Sequence, residues 1–194
     1  KITYNFSKKF NIKTPKTYQF NINENFNEIA KRLEFPVVLK PNLKYEKINN
    51  KIIFNKVLKN NYVWNYNEFE NKFNRLKERT KNFTIQQYIQ GVGRGLFTCI
   101  HKNQFIGVFA HERIREYPVQ GGASSYRISI DYKEMLDLSK EMILALNWEG
   151  PIMVEFKYNK STKEYYLMEI NGRWWGSLPL AINNGVNFPI IYLN

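Results

Sequence analysis

Two glutamates and an asparagine near the C-terminal end are of the residue types that bind a divalent cation. Glu155 lies in the apolar run "PIMVEF", Glu169 lies in the run "YLMEI", and Asn171 follows two residues later. If these runs form a hairpin whose turn is centred on Thr162, Glu155 lies directly opposite Glu169. Opposed residues in a sheet have Cβ atoms about 4.5–5.5 Å apart, and like charges there are destabilising. Two carboxylates and an amide oxygen suit Mg²⁺, so the spacing predicts a metal site.

Side-chain alternation gives a further expectation for this hairpin. Because successive side chains point to opposite faces of a strand, Leu167, Glu169 and Asn171 should share one face. Met168 and Ile170 should then lie on the other face. The predicted metal ligands would therefore be held on one side of the sheet.

Two interpretations without a metal stay open at this point. Both acids could face solvent on a half-exposed sheet, or Lys157 and Arg173 could neutralise them. A register shift of one residue would place the two carboxylates on opposite faces and remove the site.

The chain before the hairpin alternates between helix and strand patterns. The segment "TYNFSKKF" is typical of a helix end, and "NIKTPKTYQF" of a loop that leads into a short strand. An Asn or Asp followed three residues later by Glu indicates helix starts at Asn25, Asn67 and Asp131. Apolar runs predict further strands at residues 36–40, 51–57, 83–89, 96–102 and 104–114.

This order of elements predicts an α+β protein of two lobes. A small α+β lobe would take residues 1–85, and a mostly antiparallel sheet flanked by helices would take residues 86–194. The segment "IQGVGRG" contains three glycines and is the natural joint between the lobes. A cleft between two lobes is a common place for a ligand.

Length and composition exclude several classes of protein. Of the 194 residues, 43% are hydrophobic, which is enough for a sizeable core. No run approaches the ~20 apolar residues of a membrane span, and the N-terminal residues lack the apolar region of a signal peptide. The single cysteine, Cys99, excludes an intrachain disulfide and a cysteine metal cluster, and it is compatible with a cytoplasmic protein.

The net charge of +12 restricts the partners. A basic balance is typical of proteins that bind nucleic acid, an anionic membrane surface or a phosphate-bearing ligand. The lysines are scattered among Asn and Ile and are interrupted by apolar residues, so they do not form a basic tail. We therefore expect no membrane partner and keep a nucleic-acid-binding domain as the least favoured function.

The hairpin segment resembles a known family of nucleotide-dependent enzymes. "MVEFKYNKSTKEYYLMEINGRWWGSLPLAINNGVNFP" is similar to the C-terminal core of ATP-grasp enzymes, in the form found in proteins related to the carbamoyl-phosphate synthase large subunit. Three more segments resemble ATP-grasp segments in the same order: "FPVVLKP", "TIQQYIQG" and "HERIREYPVQGGASSYRIS". The resemblance implies an ATP-grasp fold with a nucleotide cleft between its lobes. It also implies a carboxylate–amine ligase that uses ATP and Mg²⁺, with Mn²⁺ as the alternative ion.

The resemblance assigns roles to residues of the C-terminal half. Glu155 and Glu169 would hold the Mg²⁺ ions that bridge the ATP phosphates, and Asn171 would complete the shell of the second ion. Arg173 would stabilise charge on the phosphoryl group during transfer. Arg113 would lie beside the acceptor substrate.

The resemblance also assigns the nucleotide contacts. Lys40 would contact the α- and β-phosphates of ATP. The hinge strand contains Gln86, Gln87, Tyr88 and Ile89, whose backbone would pair with the adenine edge.

Several departures from the family pattern favour a second function. The segment "NLKYEKINNK" lacks the glycines of the usual phosphate lid, so Lys44, Lys47 or Lys51 would have to close over the phosphates. Gly93 stands where an acid often binds the ribose, and relatives carry another domain before "NIKTPKT". We therefore expect an excised core, and an ATP-binding module without its own catalysis stays open as the alternative.

Other motifs carry weaker signals. "GVGRG" lacks the ending of a P-loop and the third glycine of a dinucleotide fingerprint. His101 and His111 have no second ligand at metal spacing. Gly121 and Gly122 could form an anion-binding nest beside Arg115 or a plain turn. None of these motifs identifies the acceptor substrate.

Overall fold

The computed structural model of the chain contains two compact units, and it describes residues 2–20, 26–48, 50–80, 82–117 and 123–193. The larger unit consists of Lys1–Thr14, Ile89–Glu116 and Ala123–Asn194, and the smaller one of Pro15–Tyr88 and Tyr117–Gly122. Both units combine helices with antiparallel sheet, so the predicted α+β class is confirmed. No helix in the described ranges is both long enough and apolar enough to cross a membrane.

Six helices and eleven strands make up the described part of the chain. The helices are α1 (Ile2–Ser7), α2 (Phe26–Lys31), α3 (Tyr66–Lys77), α4 (Lys133–Leu144), α5 (Leu178–Asn183) and α6 (Phe188–Leu193), with 3₁₀ turns at Lys8–Phe10 and Lys59–Asn61. The strands are β1 (Thr17–Gln19), β2 (Val37–Pro41), β3 (Tyr45–Ile48), β4 (Lys51–Phe54), β5 (Tyr62–Val63), β6 (Phe83–Gln87), β7 (Val92–His101), β8 (Gln104–Tyr117), β9 (Ala123–Ser129), β10 (Gly150–Asn159) and β11 (Glu164–Asn171).

The smaller unit is built on a four-stranded antiparallel sheet in the order β1-β6-β2-β5. Leu39 and Ile85 of its two central strands are fully buried, and they belong to the same core as Phe69 and Phe73 of α3. Phe69 and Phe73 recur at helical spacing and so present one apolar face to the sheet. The β3–β4 hairpin forms a separate two-stranded sheet.

Helix α3 begins before the position that the capping pattern predicts. Asn65 is the N-cap, and its side chain accepts a hydrogen bond from the Glu68 backbone N–H at 3.1 Å. The predicted start at Asn67 is therefore two residues late, because Asn65 has the extended backbone that an N-cap requires. The predicted start at Asn25 lies outside the described residues.

Helix α4 begins two residues after the predicted acid. Asp131 accepts a hydrogen bond from the Lys133 N–H at 3.0 Å, while the N-cap position is taken by Tyr132. Met135 and Met142, which are two helical turns apart on α4, are fully buried.

The larger unit is a five-stranded sheet in the order β11-β10-β7-β8-β9, with a hydrophobic core on each face. On one face, Val154 packs in a core with Met135 and Met142 of α4; we call this the α4 face. On the other, Met153 and Phe97 pack in a core with Ala181 of α5 and Phe188 of α6; we call this the α5–α6 face. Because Met153 and Glu155 are two residues apart on β10, Glu155 lies on the α5–α6 face.

Candidate functional site

The β10–β11 hairpin places Glu155 directly opposite Glu169, as the sequence predicts. The register shifts immediately after this pair, because Phe156 pairs with Leu167 and Met168 is left without a direct partner. Such a β-bulge inserts one extra residue and re-aims the side chains beside it.

The bulge corrects the predicted alternation of β11. Leu167 and Ile170 both pack against the core of the α4 face, although they are three residues apart. The expectation that Leu167 shares a face with Glu169 and Asn171 is therefore wrong, since the extra residue reverses the pattern. The bulge lets β11 bury Leu167 on one face and still present Glu169 opposite Glu155.

Arg113 of β8 is the basic residue that neutralises Glu155. The Arg113 Nη2 donates to Glu155 Oε2 in a short ion pair, and both side chains are about four-fifths buried. Lys157 and Arg173 instead donate to backbone carbonyls, at 3.4 and 3.2 Å respectively. The interpretation that these two residues neutralise the acids is therefore wrong.

Negative charge exceeds positive charge around Arg113. Its Nη1 lies 3.6 Å from Glu116 Oε1, so the Arg113 guanidinium contacts the carboxylates of both Glu155 and Glu116. The carboxylate of Glu169, which lies opposite Glu155, has no ion pair in the described part of the chain. Three carboxylates and one guanidinium leave a formal excess of two negative charges. A divalent cation would neutralise that excess.

The donor set fits a cation that keeps part of its water shell. Asn171 pairs with Met153 across the hairpin, and its Nδ2 lies 3.5 Å from Glu155 Oε1. Rotation of this amide would turn its oxygen toward the carboxylates. Among the described residues, no group of three His, Cys, Asp or Glu side chains could hold a metal. Two carboxylates and one amide are the ligands available, and Mg²⁺ accepts such a site because it usually retains several waters.

His111 lies two residues before Arg113 on the same face and is a buried, neutral histidine. It is 2% exposed, packs on Phe97 with ring centroids 4.6 Å apart, and neither ring nitrogen has a hydrogen-bond partner. Burial, together with the smaller effect of the charges of Arg113 and Arg127, lowers the pKa of His111 to about 3. The histidine therefore adds no positive charge to the site near neutral pH.

The smaller unit holds Lys40 and most of the predicted nucleotide contacts. The Lys40 Nζ donates to Gln86 Oε1 at 2.6 Å, and Gln86 is 4% exposed. The Gln87 N–H donates to the Lys16 carbonyl at 2.8 Å, and the Tyr88 N–H donates to the Pro36 carbonyl at 3.0 Å. These two N–H groups are therefore occupied within the protein.

Ile89 belongs to the larger unit, unlike the three residues before it. It is 7% exposed, and its N–H donates to no backbone carbonyl in the described ranges. The pairing of this segment with an adenine edge stays a prediction, and of the Gln87, Tyr88 and Ile89 N–H groups only that of Ile89 makes no backbone hydrogen bond in the described ranges.

Sequence reasoning did not single out Ser177 or Arg127, which line a cavity of ≈ 260 Å³ on the larger unit. Ser177 precedes α5 and Arg127 lies on β9, a strand that the apolar patterns did not predict. The residues of β9 are mostly exposed, so this edge strand lacks the alternation that would have revealed it.

Comparison with known proteins gives one family and many structures. The family model described as "ATP-grasp in the biosynthetic pathway with Ter operon" matches residues 99–194. No curated protein matches the chain.

Three of the similar solved structures illustrate the fold. The D-alanine–D-alanine ligase of Bacillus anthracis complexed with ATP is 22% identical, with a TM-score of 0.62 over 98% of this chain and 64% of that one. The L-amino acid ligase of Bacillus licheniformis is 16% identical, with a TM-score of 0.61 over 98% and 44%. The biotin carboxylase–β,γ-ATP complex of Campylobacter jejuni is 13% identical, with a TM-score of 0.67 over 98% and 43%. The chain thus spans from under half to about two thirds of these structures, and identities this low establish a shared fold only.

Proposed function

We propose that this chain, which matches an ATP-grasp family model over residues 99–194 and has the fold of ATP-grasp structures, is the catalytic core of an ATP- and Mg²⁺-dependent carboxylate–amine ligase. The observation that carries this proposal is the pairing of Glu155 with Glu169 beside Arg113, because it leaves an excess of negative charge on one face of a sheet. A structural ion pair would need only one of these carboxylates. Two carboxylates and a neighbouring amide suit Mg²⁺, which also binds the phosphate oxygens of ATP.

The reaction would proceed in two steps, a phosphoryl transfer to the carboxylate followed by an acyl transfer to the amine. An oxygen of the substrate carboxylate attacks the γ-phosphorus of ATP, the bond to the β,γ-bridging oxygen breaks, and ADP leaves. The nitrogen of the amine then attacks the acyl carbon, loses a proton, and expels inorganic phosphate as the amide forms. Catalysis of this kind depends mainly on positioning and on charge neutralisation.

Most of the predicted site residues would have a part in those steps. Glu155, Glu169 and Asn171 would hold Mg²⁺, which neutralises phosphate charge when it is bound. Arg173 is exposed and has no ion pair in the described ranges, so its guanidinium is available to the transferring phosphoryl group. Lys40 would bind the nucleotide phosphates, with Gln86 fixing the position of its ammonium group.

Arg113 would take a second role as the ion binds. Its guanidinium donates a hydrogen bond to Oε2 of Glu155. Binding of a cation would therefore require that the cation and Arg113 share this carboxylate, or that Arg113 turns toward an anionic substrate. Glu116, at 3.6 Å, would keep Arg113 in place during this exchange. We expect the substrates to be small carboxylates and amines, and the protein to act in the cytoplasm, where ATP is available.

The test is release of ADP and phosphate by the purified chain with ATP, Mg²⁺ or Mn²⁺, and a panel of amino acids and small carboxylates. Glu169→Ala should abolish turnover and leave the fold intact, because it removes an exposed charge and no core volume. Glu70→Ala, an exposed glutamate of α3 in the other unit, is the matched control and should turn over normally. Near-normal ADP release by Glu169→Ala would refute the assignment.

A nucleotide-binding module without catalysis is the second candidate, and the β3–β4 hairpin favours it. By the resemblance, this hairpin would take the place of the usual phosphate lid. It has no glycine, and its two strands pair residue by residue from Tyr45 with Phe54 to Ile48 with Lys51. Without glycine, this backbone lacks the conformational freedom with which a phosphate lid wraps its N–H groups around phosphates. Saturable ATP binding with no acceptor-stimulated ADP release would favour this second function.

A further inference from the structure

Arg113 reaches Glu155 across an intervening strand. Arg113 lies on β8 and Glu155 on β10, and β7 runs between these two strands. Neighbouring strands are about 4.8 Å apart, so the two backbones are separated by about 10 Å. The ion pair therefore exists only because the side chains of Arg113 and Glu155 extend toward each other above the surface of β7.

The part of β7 between these two residues has glycines on the face that the ion pair crosses. Phe97 packs in the core of the α5–α6 face, so side-chain alternation places Gly95 and Gly93 on the same face. Gly95 pairs with His111 of β8 on one side and with Glu155 of β10 on the other. Both glycines are buried, so atoms of other residues cover them.

The side chain of Arg113 covers Gly93. A Cβ added at Gly93 would lie 2.9 Å from Cδ and 3.5 Å from Cγ of Arg113, and 3.2 Å from Oε1 of Glu116. Two carbon atoms in optimal contact are about 3.5–4.0 Å apart, so a Cβ at this position overlaps the aliphatic stem of the arginine. Any side chain at position 93 would therefore move Arg113 from its path to Glu155.

Gly95 is covered in a different way. A Cβ added there would lie 2.6 Å from Cζ of Phe97 and 3.6 Å from Nε2 of His111. Phe97 is fully buried in the core, whereas the side chain of Arg113 is 22% exposed and can turn toward solvent. Gly93 is therefore the position at which an added methyl group acts on Arg113 and leaves the core in place.

Arg113 and a divalent cation would compete for Glu155. The Arg113 guanidinium donates to Oε2 of Glu155, which is one of the proposed metal ligands, and its Nη1 lies 3.6 Å from Oε1 of Glu116. Since the guanidinium and the ion are both positively charged, either one at this carboxylate disfavours the other. The position of Arg113 would then set the affinity of the site for the ion.

We propose that Gly93 is a positioning residue. Because it leaves the surface of β7 free, it lets Arg113 act as an internal counterion of Glu155 that a divalent cation must displace. The inference rests on the proposed function, since it takes Glu155 and Glu169 as metal ligands. It assigns to one glycine on a neighbouring strand the control of metal affinity at this site.

The experiment measures Mn²⁺ binding to the whole chain without nucleotide, from the electron paramagnetic resonance signal of free Mn²⁺. Gly93→Ala should bind Mn²⁺ about tenfold more tightly than the wild type, because a hydrogen bond between charged groups carries about this much affinity. Arg113→Met should tighten binding at least as much. The double variant should bind no more tightly than Arg113→Met, since both substitutions remove the same contact.

Three controls separate this contact from other effects. Arg127→Met removes a charge that acts on His111 but makes no ion pair with Glu155 in the described ranges, so it should change Mn²⁺ affinity little. Gly176→Ala adds a methyl group that meets no atom within 4 Å and should bind as the wild type does. Glu155→Gln combined with Gly93→Ala should lose the tighter binding, which locates the ion at Glu155.

A thermal melt of each variant checks the fold, and Gly93→Ala should melt no lower than Arg113→Met, because each loses the same ion pair. Unchanged or weaker Mn²⁺ binding by folded Gly93→Ala would overturn the proposal. If Gly93→Ala does not fold, Arg113→Met decides, and binding no tighter than that of Arg127→Met would overturn it.

This proposal and the ligase proposal fail separately. Tighter Mn²⁺ binding by Gly93→Ala, with no ADP release by the wild type, removes the ligase and keeps the role of Gly93. ADP release by the wild type, with equal Mn²⁺ affinity in both proteins, removes the role of Gly93 and keeps the ligase.

Discussion

Glu169→Gln should affect the stability of the protein in opposite directions without and with Mg·ATP. In the free protein, Glu169 lies directly opposite Glu155 and has no ion pair in the described ranges. At a separation of about 5 Å, two unit charges repel by about 0.8 kcal/mol in water-like surroundings, and Glu169 is exposed enough for that dielectric to apply. Glutamine keeps the size of the side chain and removes the charge.

The free variant should therefore melt at a higher temperature than the wild type. For a chain of this size, about 1 kcal/mol corresponds to roughly 2–4 °C, so we expect a rise of about 2 °C. With Mg·ATP at a hundred times its dissociation constant, the wild type should gain about 2.7 kcal/mol, and the variant should lose most of that gain. The order of the two melting temperatures would then reverse.

Differential scanning fluorimetry of both proteins, with and without Mg·ATP, measures this reversal. Glu70→Gln is the matched control, because it removes one negative charge from an exposed position of the other unit. The control should follow the wild type under both conditions. A free variant that is less stable than the wild type, or that gains as much from Mg·ATP, would refute the reasoning.

Further predictions concern His111 and two glycines. His111→Leu should raise the free energy of unfolding by about 1–3 kcal/mol, because it removes buried nitrogens that have no partner. The pKa of His111 is about 3 in the folded protein, below its ordinary value of 6.5. As pH falls below about 6.5, the histidine therefore takes up a proton in the unfolded chain but not in the folded one, and the wild type loses stability. The loss is at most about 1.4 kcal/mol per pH unit and should be smaller in His111→Leu. Urea unfolding of both proteins from pH 7 to pH 5 measures it. An equal loss of stability in the wild type and the variant would contradict the argument that His111 is buried and neutral. Gly91→Ala should destabilise the protein by about 1–3 kcal/mol, because its Cβ would lie 2.3 Å from the Tyr158 carbonyl oxygen, whereas Gly176→Ala meets no atom and should melt normally. Equal melting temperatures for Gly91→Ala and Gly176→Ala would contradict this prediction and would show that β10 shifts at Tyr158 to make room for the added methyl group.

The sequence predicts the correct pairing of Glu155 with Glu169, but the hairpin reaches this pairing through a different register from the predicted one. A turn centred on Thr162 gives the correct partner for Glu155, but the strand pairs close to the turn follow another register, from Asn159 with Glu164 to Phe156 with Leu167. The bulge at Met168 restores the expected register at Glu155. Alternation by itself does not reveal a bulge, because one extra residue leaves no mark on the pattern of apolar residues.

The partner of Glu155 could not be predicted either. Sequence proximity suggested Lys157 and Arg173, but the structure brings in Arg113 from β8. Arg113 and Glu155 are on strands that flank the same central strand, since β7 pairs with both β8 and β10. Such a contact depends on strand order, which local patterns do not contain.

The sequence by itself determined the α+β class, most of the strands and the acidic hairpin, because apolar periodicity and turn residues act over a few positions. The tertiary structure alone decided that Arg113 neutralises Glu155, that Leu167 turns away from Glu169, and that Arg127 meets Ser177 around a cavity. Those arrangements join side chains from distant segments. Charge balance and cavity shape depend on which strands become neighbours, and that choice is made only when the sheet assembles.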